Sequence, residues 1–281
     1  MRTIDGRAHA ATINAAVTSD IEHLRGQGIV PRLAVVVPTD DEATAWYVRN
    51  IGRAAAKVGV DCAVESLVDA DAGSLTRRLA ALSADPDVHG IICQTPLPAG
   101  LSLAAAGAFI DPAKDVDGSN PLSLGRLAAG LDAYAPATAA AVMEILHRED
   151  VPLRGSRAVV IGRSTVVGKP LAFLLIAADA TVTVCHSRTV DLPAVAATAD
   201  ILVAAVGRPG LVTADYIKPG GIVVDVGTNP TADGGLVGDV DPAGAANAAG
   251  LTPVPGGVGP VTTALLLRAT VTAAALRSSV D

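Results

Sequence analysis

Aromatic side chains are scarce in this 281-residue chain: two Phe, three Tyr and one Trp make up 2% of it. With hydrophobic residues at 50%, Ala, Val and Leu must fill the cores. So few rings speak against a stacking platform for single-stranded nucleic acid. A net basic charge is also lacking: the formal balance is −7, so no global field holds a phosphate backbone, although local basic pockets remain open. The three cysteines, Cys62, Cys93 and Cys185, form no C-x-x-C pair. They suit a reducing compartment, offer no framework for a metal, and no metal is expected. The sequence shows no signal-peptide h-region, and no uninterrupted apolar run of spanning length. The expectation is a soluble, cytoplasmic protein with neither nucleic acid nor membrane as partner.

The length fits two domains. Apolar residues at helical spacing predict a helix over 8–26, and Leu33–Val37 reads as a buried strand. A helix near Glu42–Val58 follows, then a strand over Cys62–Leu67, a helix over Leu75–Leu82 and a strand over Gly90–Cys93. Leu103–Phe109 reads as a short helix, Asp111–Asn120 as a loop, and Thr138–His147 as a helix. From Arg157 the beat is regular: strand 157–161, helix 168–178, strand 181–185, helix 193–198, strands 201–205 and 222–226. A last helix is predicted over about Val261–Leu276. Strands alternating with helices imply an α/β chain with parallel sheet and right-handed crossovers.

Within that beat, Ala158–Ile161 stops at Gly162, Arg163 and Ser164 follow, and Gly168 opens a new apolar segment. This spacing misses the G-x-G-x-x-G fingerprint, and fits either a dinucleotide turn or a plain strand-to-helix connection. The next strand ends in His186-Ser187-Arg188, without the carboxylate that accepts bonds from a ribose 2′-hydroxyl. A hydroxyl and a guanidinium, with Arg163 on the other rim, suit a 2′-phosphate and favour NADP over NAD; the same residues also serve as an ordinary solvated loop. Pro255-Gly256-Gly257-Val258-Gly259-Pro260 makes a loop with little side chain and exposed backbone groups. In the first half, Thr44, Tyr47 and Ile51 share one helix face, and Gln94 leaves its strand into a Thr-Pro-Leu-Pro turn. Asp115-Val116-Asp117-Gly118 reads as a turn or a poor metal site.

Taken together and in this order, these segments resemble the methylenetetrahydrofolate dehydrogenase/cyclohydrolase family. The carrying stretches are Leu33–Thr44, Tyr47–Gly59, Gln94–Pro98, Lys114–Gly118, Val159–Pro170, Thr181–Thr189 and Thr252–Thr262, with Pro121 and Gly125–Leu127. The resemblance implies an N-terminal α/β catalytic domain over 1–138 and a Rossmann-like NADP-binding domain over 139–260. It also implies that the C-terminal helix, 261–281, packs back on the first domain, that folate binds in the cleft between domains, and that the chain forms a homodimer. Tyr47, Gln94 and Asp117 match the catalytic positions. Pro255, Gly259 and Thr262 join them as substrate contacts. Gly162, Arg163, Ser164, Ser187 and Thr228 match the cofactor contacts, with Arg188 added from its chemistry.

The departures are specific. The family carries a lysine four residues after the tyrosine, and here that position is Ile51. An ammonium of lowered pKa can support proton transfer and water attack, whereas a butyl side chain cannot. Arg49 and Arg53 lie about 200° round the helix from Ile51, and Lys57 about 120° away. Thr95 replaces a leucine, Ser119 an apolar residue, Ala137 a cysteine and Ala139 a proline. The expected activity is NADP-dependent oxidation of 5,10-methylenetetrahydrofolate with the cyclohydrolase step weak or lost. Alternatives are a fully bifunctional enzyme, a non-catalytic NADP- or folate-binding paralogue, and a related one-carbon or pteridine substrate.

Overall fold

Strand and helix alternate as the apolar runs predict. The structure, a computed structural model, describes residues 1–278, so 279–281 of the expected C-terminal helix lie outside the described residues. In chain order the elements begin β1 (Arg2–Thr3), α1 (Gly6–Gly26), β2 (Arg32–Val37), α2 (Glu42–Val58), β3 (Asp61–Ser66), α3 (Ala72–Ala84) and β4 (Gly90–Cys93). Next come α4 (Leu103–Gly107), α5 (Pro121–Ala128), α6 (Ala137–Arg148), β5 (Arg157–Ile161), α7 (Gly168–Ala177), β6 (Thr181–Cys185) and α8 (Leu192–Ala196). The chain closes with β7 (Ile201–Ala204), β8 (Ile222–Asp225), β9 (Asn229–Pro230), β10 (Leu236–Val237), β11 (Gly250–Leu251) and α9 (Val258–Ser278).

Two units emerge: Met1–Ala10 with Thr138–Thr262, and Ala11–Ala137 with the residues from Thr263 on. We call them the cofactor-side and tyrosine-side units. The first ten residues group by contacts with the later unit, away from the rest of the N-terminal segment. Arg2 and Thr3 pair in parallel with Gly250 and Leu251. Gly6 is so close to the glycine loop that a Cβ there would lie 1.8 Å from the Gly257 carbonyl oxygen.

The tyrosine-side unit is built on a three-stranded parallel sheet in the order β3-β2-β4. Central β2 is buried along Leu33–Val37, while edge β3 alternates between covered and exposed positions. Leu75, Leu79 and Leu82 of α3 pack with Ala34, Val36, Ile91 and Ile110 into an aliphatic core, as the shortage of rings requires. Asp41 caps α2 through the Thr44 N–H (2.8 Å), and Gly59 ends the helix at a left-handed φ of 95°. The helix buries Val48, Ile51, Ala55 and Val58, the stripe that its 3.6-residue period aligns.

The cofactor-side unit holds a six-stranded parallel sheet in the order β1-β11-β8-β7-β5-β6, plus the antiparallel β9–β10 ribbon. Val159, Ile161, Leu202, Val223 and Leu251 lead its core. In each sheet the chain order reverses beside the first strand of the run, between β2 and β4 and between β5 and β7. Ligand crevices of open α/β sheets form at the carboxyl ends of such strand pairs. The segment Val258–Arg277 is long and apolar enough to cross a membrane, but 61% of that window is buried inside the protein. Arg268 and the Gly259-Pro260 start hide this length from a search for unbroken apolar runs.

Candidate active site

The switch point of the tyrosine-side sheet gathers the residues expected to be catalytic. Gln94 follows β4 directly, is buried, and donates its backbone N–H to the Val36 carbonyl (2.9 Å) at the end of β2. The Thr44 hydroxyl stands 2.9 Å from both the Asp41 carboxylate and the Thr95 carbonyl, tying the start of α2 to the turn after Gln94. One turn along α2, Tyr47 is half-buried. Burial, and then the Asp117 charge, push its phenol above the ordinary range. One turn further, Ile51 is wholly buried. Arg49, Arg53 and Lys57 are exposed.

Asp117 is the acid whose field reaches both Tyr47 and Cys93. Burial and the neighbouring Asp115 charge push its carboxyl up to about 7, against one bond from the Ala137 N–H. Asp115 has a different role. Its buried carboxylate accepts from the Ser119 N–H (2.9 Å) and hydroxyl (2.8 Å), the Asn120 N–H (2.8 Å) and the Ser123 hydroxyl (3.0 Å). Asp115 therefore builds the turn and Asp117 is presented by it. Two of the departures, Ser119 and Ala137, bond these carboxylates directly. Cys93 is buried beside them, its thiol pushed up to about 12 by burial and by Asp117.

At the switch point of the other sheet, β5 ends in Gly162 at φ 133°, where a Cβ would sit 2.3 Å from the Ala205 carbonyl oxygen after β7. A Cβ on Gly168 would lie 2.1 Å from the Gly162 carbonyl oxygen. Both glycines are thus required by close backbone approach. Ser164 shapes the turn between them, accepting from the Val167 N–H (3.1 Å), and α7 starts without a side-chain cap. An uncapped helix start behind a glycine turn is suited to phosphate oxygens. After β6, His186 and Thr189 close a tight turn through a bond from the His186 N–H to the Thr189 hydroxyl (2.9 Å), and Ser187 and Arg188 stand exposed on it. Arg163, Ser164 and Thr228 are exposed as well. Pro255 is exposed after a cis Val254–Pro255 bond, Gly259 lies in the first turn of α9, and buried Thr262 donates to the Val258 carbonyl (3.1 Å).

Two buried acids in this unit were not foreseen. Asp225 ends β8 and Asp239 follows β10, and between them they accept seven hydrogen bonds, six from backbone N–H groups and one from Asn229. Asp225 lies within the Val-Asp-Val-Gly strand end, so its position was visible, but Gly238-Asp239-Val240-Asp241 reads like any polar turn.

Residues 4–117 match the catalytic domain of tetrahydrofolate dehydrogenase/cyclohydrolase, and residues 136–278 match its NAD(P)-binding domain. The chain belongs to this enzyme family. It is 64% identical to the "Bifunctional protein FolD" of Parafrankia sp. (strain EAN1pec), over 98% of this chain and 99% of that protein. Among solved structures it is similar to the FolD methylenetetrahydrofolate dehydrogenase/cyclohydrolase of Campylobacter jejuni (TM-score 0.95, 38% identity, 99% of each chain). It is likewise similar to the Trypanosoma brucei enzyme, solved with NADP cofactor and an inhibitor (TM-score 0.93, 39% identity, 99% of this chain and 98% of that one). Two α/β domains, one catalytic and one NAD(P)-binding, are therefore the architecture of the family and of this member.

Proposed function

We propose that this chain oxidises 5,10-methylenetetrahydrofolate to the 5,10-methenyl compound with NADP, and that its hydrolysis of that product to 10-formyltetrahydrofolate is weak or lost. The carrying observation is Ile51, wholly buried one turn after Tyr47, where the resemblance expects lysine. Hydride transfer depends chiefly on holding two molecules in line, so an apolar residue there costs it little. Hydrolysis needs a group that activates water, and an isoleucine offers none. Tyr47 is a poor substitute, because its raised pKa keeps the phenol protonated at neutral pH.

NADP, when bound, accepts the hydride. The chain supplies the cradle: the Gly162–Gly168 turn and the α7 start for the phosphates, with Thr228 three residues beyond β8. Exposed Arg163, Ser187 and Arg188 recognise a 2′-phosphate. On the other unit, Gln94 and Tyr47 orient the folate, and Asp117 bonds the donor edge of the pterin ring. Pro255, Gly259 and Thr262 border the substrate from the glycine loop. We further propose that the enzyme works as a soluble cytoplasmic homodimer.

A second reading, full bifunctionality, draws on the name of the Parafrankia relative. Asp117, pushed up to about 7, would then be the base, since such a pKa suits water activation near neutrality. A paired assay on one preparation, with both NADP and NAD, separates the two. The expected result is NADP-favoured cofactor reduction with methenyltetrahydrofolate decaying near the buffer rate. Enzyme-dependent decay well above that rate establishes the second reading, and no cofactor reduction at all would leave only a binding protein. Ile51→Lys is expected to raise hydrolysis more than dehydrogenation, and equal changes in both would remove the special role of this position.

A further inference from the structure

The buried acids Asp225 and Asp239 have no part in the chemistry described above, yet their surroundings are built around them. Asp239 is wholly buried. Its Oδ2 accepts from the Val206 (2.7 Å) and Gly207 (3.0 Å) N–H groups, and its Oδ1 from the Arg208 N–H (2.8 Å) and Asn229 Nδ2 (3.0 Å). Three successive N–H groups aimed at one point form an anion nest, and here the anion is the chain's own carboxylate. Asp225 supports that arrangement from behind. Its Oδ1 accepts from the Asp239 and Gly227 N–H groups (2.9 Å each), and its Oδ2 from the Val240 N–H (2.9 Å).

The space around the pair is as specific as its bonds. A Cβ on Gly227 would lie 2.4 Å from Asp239 Oδ1, and a Cβ on Gly238 would lie 1.8 Å from Asp225 Oδ2. These glycines leave room for the carboxylates. The loop that Asp239 holds follows β7 and begins at Ala205, the residue whose carbonyl packs against Gly162. The Asp225 side of the pair holds Gly227, beside Thr228. One buried unit thus clamps the end of β7, which pairs with β5 and so adjoins the phosphate turn, to the end of β8 on its far side.

We propose that Asp239, oriented by Asp225, is a positioning residue for the dinucleotide: it fixes residues 206–208, directly after the Ala205 carbonyl that packs on the Gly162 turn, while Asp225 holds Gly227 beside Thr228. This rests on NADP binding by the cofactor-side unit, so NADP titration of the unchanged protein by calorimetry is the control. If the unchanged protein takes up no NADP, the functional reading fails and not the clamp.

The test is Asp239→Asn, which turns an amide N–H₂ toward donors that need an acceptor. The Kd for NADP is expected to rise about tenfold through the lost bonds, while the KM for the folate and kcat at saturating NADP stay within about twofold. Amide exchange without ligand is expected to quicken at Gly207 and Arg208 and not across the β-sheet, a localisation that a merely structural role would not produce. An unchanged Kd in folded protein overturns the proposal, as does uniform loosening with both KM values rising together. Should Asp239→Asn fail to fold, Asn229→Ala removes the side-chain donor on Asp239 and leaves both carboxylates. Its Kd is expected to rise about threefold, and an unchanged value overturns the proposal as well.

Discussion

Asp115 and Asp117 stand two residues apart with the same side chain, and their surroundings divide the labour. Four donors hold Asp115 in place, whereas Asp117 has a single backbone partner and a carboxyl pushed up to about 7. Because burial raises that pKa, the neutral acid is favoured in the folded chain. The stability from this group is present below about pH 4 and is lost as pH rises through about 7. Binding runs the other way, since the amino and ring N–H donors of a pterin need a carboxylate. The kcat/KM for the folate is therefore expected to climb with pH through about 7, and Asp117→Asn to flatten that limb. A limb that survives the substitution belongs to another group. The placement of Tyr47, Ile51 and Gln94 was legible from helix spacing and a strand end, and their expected roles only from the resemblance. The division between the two aspartates was not, since it depends on Ser119, Asn120, Ser123 and Ala137, whose approach the local sequence does not announce.

At the scale of elements, the turn from β5 to α7 has little freedom. Gly162 sits at φ 133° with the Ala205 carbonyl where a Cβ would be, so Gly162→Ala adds a strained backbone to a steric clash. A loss of about 3 kcal/mol is expected in urea unfolding, together with a weakened NADP Kd. A variant of unchanged stability and affinity would mean the strand ends can separate freely. The long elements were readable from their periods: Glu42–Val58 and Gly90–Cys93 appear over the residues predicted. The two-residue strands β1, β9, β10 and β11 were not read, because two residues carry no period and their pairing is decided by distant chain. The helix α5 is likewise absent from the predicted elements. Its signal was present, as Asn120 caps it by accepting from the Leu122 N–H (2.8 Å) and Pro121 opens it, but Gly125 and the loop-like residues before it masked a short helix.

For the molecule as a whole, length suggests two domains and the resemblance supplies their bounds, while contacts group the first ten residues with the later unit. Those residues are anchored by more than β1. Arg2 and His9 both reach the Glu149 carboxylate at 2.7 Å, at the end of α6. Removing Met1–Thr3 deletes one strand and one ion pair, and is expected to cost about 1–3 kcal/mol, read as a lower Tm that NADP partly restores. An unchanged Tm would show that the edge strand contributes nothing to its unit.

The same pairing also sets an order of events during synthesis. Arg2 finds its neighbour in Gly250, so the first strand leaves the ribosome long before the strand it will join exists. Closing a loop of about 250 residues costs little more than closing one half as long, but it cannot happen early. The opening residues must stay soluble and uncommitted while the three-stranded β3-β2-β4 sheet has all its strands available. The six-stranded sheet, whose Gly162 turn follows β5 beside the β6 edge, is then completed by a strand made long before its partner.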